Sequence, residues 1–165
     1  MRSAVLIALV LSVLALARPV SMADESRKDA LVVNLVKEIK SSSPSERPAL
    51  ANKLSDLIWH MDRSELDMIN KNTIDEIAMM LSDKSEAVVY AAASALGDIG
   101  QPAIHTVPAL LTALKELEAS HSRGPVRPAP SIGAEDAIVN TLIKLKVCVP
   151  PSRIAISNSC DYLLR

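Results

Sequence analysis

Residues 86–100 read EAVVYAAASALGDIG, and this stretch decides the fold. Between residues 87 and 96 the only polar groups are the hydroxyls of Ser94 and Tyr90. A surface helix keeps a polar face, so a helix this apolar must be covered on most sides. Alanine is the strongest helix former, and its short side chain lets neighbouring backbones come close. The stretch therefore predicts the inner helix of a layered, all-helical fold.

Helical spacing of apolar residues continues on both sides of this stretch. The further predicted helices cover residues 24–40, 46–60, 73–81, 106–117 and 133–146. Gly97 and Gly100 are the predicted stop signal of the central helix. The predicted N-caps of the other helices are Asp24 or Ser26, Ser45, Thr73 and Thr106. Thr73 and Glu76 have the spacing of a capping box.

An internal repeat relates these helices to one another. LSDL at 54–57 matches LGDI at 96–99 at an offset of 42, and Leu142 and Leu145 match Leu96 and Ile99 at an offset of 46. Periods of about 40 to 47 residues in helix pairs are typical of HEAT and armadillo repeats.

The segment LSDKSEAVVYAAASALGDIGQPA at 81–103, followed by VPALLTAL at 107–114, resembles a HEAT-type repeat. The matching residues are Asp83, Val88, Ala91, Ala92, Leu96, Ile99, Gly100 and Pro108. Val89 stands where the family usually has an arginine, so its ladder of Asp and Arg side chains is not expected. The resemblance implies a short α-solenoid of about three helix pairs over 24–146.

The N-terminus has the pattern of a secretory signal peptide. Arg2 precedes an apolar run over 4–17, and Ser-Met-Ala at 21–23 places small residues at the cleavage positions. Arg-Pro at 18–19 ends the run before the roughly 20 apolar residues that a membrane span needs. We therefore expect a signal peptide over 1–23, a periplasmic or secreted protein of bacterial type, and no stable membrane anchor after cleavage.

Residues 147–165 are predicted to form a C-terminal tail that contains both cysteines, Cys148 and Cys160. Two cysteines in an exported chain favour a disulfide. Closing a loop of this size stabilises a fold by roughly 3 kcal/mol on the chain-entropy model.

Residues 119–132, ASHSRGPVRPAPSI, have the composition of a loop. Arg123 and Arg127 within it are candidate partner-binding residues, since arginine is a strong donor for acidic groups. A loop of this length in a compact domain is either functional or merely disordered, and both alternatives stay open.

No sequence pattern predicts a catalytic residue, a cofactor or a metal site. His60, His105 and His121 lack the spacing of metal ligands, and no G-x-S-x-G motif is present. The acidic pairs at 75–76 and 135–136 fall in predicted first helical turns, where carboxylates complement the helix dipole.

Charge and composition narrow the function further. Without the leader, 16 of the 18 basic residues would remain against 19 acidic ones, and the chain has one Trp, two Tyr and no Phe. Both features argue against nucleic-acid binding. We expect an exported protein–protein interaction module without catalytic activity, acting as an adaptor, inhibitor or assembly factor. The resemblance also admits an enzyme or enzyme accessory, as in HEAT-like phycobilin lyases and DNA glycosylases, and a structural subunit of an envelope complex is a third alternative.

Overall fold

The computed structural model describes the backbone of residues 21–121 and 133–147, and the side chains of 28–120 and 133–147. This part of the chain holds seven α-helices and no strand, which confirms the predicted all-α class. The helices are α1 (Ser21–Ser41), α2 (Arg47–Trp59), α3 (Arg63–Asp67), α4 (Lys71–Met79), α5 (Glu86–Ile99), α6 (Val107–His121) and α7 (Ala134–Lys144). Short 3-10 segments at Met80–Ser82 and Gln101–Thr106 follow α4 and α5.

Helix α5 is the centre of the packing. Its contacts with α2 and with α7 are the two most extensive helix–helix contacts described. Helix α4 contacts α1 and α6. We call α1 with α2, α4 with α5, and α6 with α7 the first, second and third helix pairs. Nine of the 14 residues of α5 are buried, as the apolar stretch predicts.

The two glycines of α5 have different roles, and the prediction was wrong for one of them. Gly97 does not end the helix: it is buried, and an added Cβ would lie 2.7 Å from the Thr141 hydroxyl oxygen on α7. That hydroxyl donates to the Ala93 carbonyl at 2.7 Å, so α5 and α7 approach closely. Gly100 does end the helix, with φ +72°, and its N–H donates to the Leu96 carbonyl.

The predicted N-cap of the helix expected at residues 73–81 is wrong. Helix α4 begins at Lys71, two residues before Thr73, and Asn70 caps it by accepting from the Asn72 N–H at 2.9 Å. Thr73 is buried and is the third residue of this helix, so it does not occupy the cap position. Glu76 therefore has no capping role and pairs with another helix.

The other predicted caps also differ from the structure. Residues 21–41 are helical, so Asp24 and Ser26 lie within α1 and do not cap it, and the predicted cleavage point falls inside this helix. Ser45 lies before the cap position of α2 and hydrogen-bonds the Ser43 hydroxyl. Thr106 is buried and donates to the Ala103 carbonyl at 2.8 Å instead of accepting from an N–H group.

The connection between the first two pairs holds a capping box that the sequence analysis did not predict. The Asp62 side chain accepts from the Glu65 N–H at 3.0 Å, and the Glu65 side chain accepts from the Asp62 N–H at 2.8 Å. The hydrogen bond from the Glu65 N–H, with a second from the Ser64 hydroxyl, lowers the pKa of Asp62. Buried Glu65 also pairs with Lys28 at 2.6 Å, which fixes α3 against α1.

Polar links join the first pair and α3 to the second pair, each between residues 36 positions apart. They are Lys40–Glu76 (3.0 Å), Arg47–Asp83 (3.1 Å) and the Arg63 guanidinium to the Ile99 carbonyl (3.1 Å). An arginine thus does pair with Asp83, although it comes from the start of α2 and not from the position that Val89 occupies. Lys144–Asp98 at 2.7 Å links the third pair to the second.

In the third pair, the start of α7 agrees with the prediction to within one residue, whereas α6 extends beyond its predicted end. Helix α6 continues to His121, so Ala119 and Ser120 belong to the helix and not to the proline-rich loop. Helix α7 follows Gly133, whose N–H donates to the Asp136 carboxylate at 3.2 Å. Asp136 therefore has the N-terminal role predicted for the 135–136 pair.

We expect Ala92→Glu to abolish cooperative folding, because Ala92 is fully buried in α5. Burying an unpaired carboxylate costs several kcal/mol against a total stability of about 5–15 kcal/mol. Ala87→Glu is the matched control, since Ala87 is exposed in the first turn of the same helix. Thermal unfolding followed by circular dichroism should show a normal transition for the control only. Equal midpoints for the two variants would contradict the buried position of α5.

Candidate functional site

The candidate residues chosen from the sequence fall outside the part of the chain that the structure describes. Arg123 and Arg127 precede α7 within residues 122–132, and Cys148 and Cys160 follow Val147. The partner-binding role of the two arginines and the disulfide between the two cysteines therefore remain predictions.

His105 joins the second and third helix pairs. It lies in the 3-10 segment before α6, and its Nε2 is 2.7 Å from the Asp75 carboxylate on α4. Its Nδ1 is 3.0 Å from the Pro102 carbonyl oxygen. Both neighbouring atoms are acceptors, so only an imidazolium with two N–H groups satisfies both contacts. These contacts hold the segment before α6 against α4.

The acidic pair at 75–76 does not have the capping role predicted for it. Asp75 accepts from Lys71 at 3.0 Å and contacts His105, and Glu76 pairs with Lys40 of α1. The hydrogen bond from Lys71, followed by that from His105, lowers the pKa of Asp75. Both carboxylates thus connect α4 to other groups instead of capping its N-terminus.

Trp59 is the most exposed of the large hydrophobic residues described, with 67% of its surface accessible. It is also the only tryptophan of the chain. The buried stripe of α2 runs through Leu54 and Ile58 and continues to Met61, and Trp59 lies outside its phase. The indole is therefore directed away from the core by the helical period itself.

Three exposed polar residues share this side of α2 with Trp59. Along the chain, Asp56 lies three positions after Lys53, three before Trp59 and four before His60. This spacing places the four residues on neighbouring turns of one helix face. His60 Nδ1 is 2.7 Å from the Asp56 carbonyl oxygen, so the imidazole folds back over the last turn. We call Lys53, Asp56, Trp59 and His60 the Trp59 face.

Sequence reasoning treated Trp59 only as one of three aromatic residues and so missed this face. The sequence carries the signal, because Leu54, Ile58 and Met61 follow one another at helical spacing and leave the tryptophan out of phase. A large aromatic side chain outside the buried stripe of its helix is the pattern of an interaction anchor.

The described residues also bear on metal binding and on membrane insertion. They contain no group of three or more His, Cys, Asp or Glu side chains arranged to hold a metal ion. None of their helices is long and apolar enough to span a membrane.

Comparison with known proteins does not place the chain in a family: no protein-family model, no curated protein and no solved structure matches it.

The contacts of Asp75 predict an acid-sensitive contribution to stability. A carboxylate whose pKa is lowered by folding stabilises the fold above its unfolded pKa of about 3.9, and this contribution is lost as the pH falls through the lower folded value. Asp75→Asn should therefore lower the melting temperature at pH 6, and the difference from the wild type should shrink between pH 4 and pH 2. Glu38→Gln is the control, as an exposed residue of α1. A difference that stays constant down to pH 2 would contradict this role of the Asp75 carboxylate.

Proposed function

We propose that this chain is a non-catalytic protein-binding module that recognises its partner through the Trp59 face. The observation that carries the proposal is the exposure of the single tryptophan on an ordered helix. Tryptophan is enriched among the residues that dominate binding energy at protein interfaces. A free surface gains nothing from presenting so large an apolar ring to water, since its burial is favourable.

The module is proposed to be a short α-solenoid of three HEAT-like helix pairs. Two features of the described residues support this organisation. Helix α5 packs between α2 and α7, and α4 contacts both α1 and α6, so each layer follows the order of the pairs. Three polar links from the first pair and α3 to the second pair also span the same 36 positions. Solenoids of this kind present extended faces to protein partners.

Export, cleavage after Ala23 and the Cys148–Cys160 disulfide are part of the same proposal. They are supported by the leader pattern and by the cysteine pair in the sequence. The module would act in the periplasm or outside the cell, as an adaptor, inhibitor or assembly factor.

The exposed apolar residues favour a binding module over a structural subunit of an envelope complex. A structural subunit would present a large continuous apolar face. The large exposed hydrophobic side chains described instead lie on different helices or connections, so no single helix presents an apolar stripe. They are Leu31, Trp59, Met68, Met79, Ile104 and Ile143.

The proposed role of Trp59 is tested by affinity capture. The tagged protein and its Trp59→Ala variant are incubated with periplasmic extract, and captured proteins are quantified by mass spectrometry. We expect the variant to keep its melting temperature within a few degrees, because the indole is mostly exposed. It should lose most of the captured partner, since removing an interface tryptophan costs about 2 kcal/mol or more, roughly thirtyfold in affinity.

Met79→Ala is the matched control, because Met79 is a large apolar residue of α4 that is 59% exposed. It should capture the partner as the wild type does. A further variant in which residues 122–132 are replaced by a Gly-Ser linker separates the Trp59 face from Arg123 and Arg127. Undiminished capture by Trp59→Ala would refute the proposed role of this face.

A further inference from the structure

The Trp59 face presents hydrogen-bond acceptors beside its aromatic ring. A carbonyl oxygen can only accept, so the contact of His60 Nδ1 with the Asp56 carbonyl places the proton on Nδ1. The Nε2 atom of the neutral imidazole is then an acceptor, and no described residue hydrogen-bonds it. The Asp56 carboxylate likewise has no hydrogen bond or ion pair with a described residue.

The position of Asp56 is not explained by the stability of its own helix. It lies in the last turn of α2, which ends at Trp59. The C-terminus of a helix carries partial negative charge, so a carboxylate there is unfavourable. Its nearest basic neighbour on this face is Lys53, one turn earlier, and the two do not form an ion pair in the structure.

We propose that the Trp59 face binds an arginine side chain of the partner protein. The guanidinium would pair with the Asp56 carboxylate and lie against the indole of Trp59. A further N–H of the same group would donate to His60 Nε2. A planar guanidinium fits this set better than an ammonium group, because it pairs with carboxylates in a fixed fork and stacks on aromatic rings. This inference rests on the proposed function and deepens it by specifying the partner's chemistry.

The charge of the described surface is complementary to such a partner. Residues 28–120 and 133–147 contain 16 acidic and 11 basic side chains. Six of the basic groups already form ion pairs: Lys28, Lys40, Arg47, Arg63, Lys71 and Lys144. The remaining excess of negative charge favours the approach of a basic segment.

The inference is tested with defined peptides and the fluorescence of Trp59, which has no competing tryptophan signal in this chain. The probes are Gly-Ser-Arg-Arg-Ser-Gly and its analogues with lysine, glutamate or the uncharged arginine isostere citrulline. We expect saturable binding of the arginine peptide in the millimolar range, weaker binding of the lysine peptide, and none of the other two. No saturation by the arginine peptide, or equal binding of the citrulline peptide, would overturn the inference.

Three charge variants locate the binding site. Asp56→Asn should weaken binding of the arginine peptide about fivefold, the upper range for one exposed ion pair. Lys53→Gln should strengthen it, because a competing positive charge is removed. Glu116→Gln on α6 is the control for the loss of one negative charge and should leave binding unchanged. An unchanged affinity for Asp56→Asn, or a weakened one for Lys53→Gln, would contradict the assignment.

The same variants separate this inference from the proposed function. Partner capture that requires Trp59 but is unaffected by Asp56→Asn would keep the binding role and overturn the arginine assignment. Capture that is independent of both residues would overturn both.

Discussion

The close approach of α5 and α7 is the constraint on which the rest of the structure depends. It is possible because α5 carries small side chains where the two helices meet, and because Gly97 has no side chain at all. The Thr141 hydroxyl occupies the space that a Cβ would need and donates to the Ala93 carbonyl at 2.7 Å. Interiors are packed as densely as organic crystals, so even one added carbon at this position is felt. The third helix pair is thereby held against the second.

Polar links then fix how the helix pairs lie relative to one another. Lys40–Glu76 and Arg47–Asp83 join the first pair to the second, and Asp75–His105 and Lys144–Asp98 join the second to the third. Ion pairs near the surface contribute little to stability individually. The apolar faces of the helices could pack in several arrangements, and the polar links select one of these arrangements. The selected arrangement keeps the C-terminal end of α2, and with it the Trp59 face, in a constant position.

The helices and the buried central helix could be predicted from the sequence, whereas the exact helix ends and the Trp59 face could not. The unbroken apolar stretch of α5 left only a covered position, so its burial could be predicted from composition alone. Gly97 was misread because a glycine near a helix end suits both termination and close packing, and only the position of Thr141 distinguishes them.

Helix caps were predicted poorly for a related reason. Thr73 has the residue type and spacing of a cap, yet it is buried in α4, and Asn70 takes that position. Local patterns cannot show which of several nearby polar residues the tertiary packing will leave at the helix end. The Trp59 face depends on the phase of Trp59 relative to the buried residues of its own helix, and overall composition carries no information about that phase.

The central claim is tested most directly by a double-mutant cycle on Gly97 and Thr141. In an unconstrained helix interior, Gly→Ala stabilises a protein by about 0.5–1 kcal/mol. We expect Gly97→Ala to destabilise the wild type by about 1–3 kcal/mol, because the new methyl group meets the Thr141 hydroxyl. In a Thr141→Ala background the same change should cost much less or become stabilising. Urea unfolding of the four proteins gives the coupling energy. Stabilisation by Gly97→Ala in the wild type, or a coupling energy near zero, would contradict the close approach of α5 and α7.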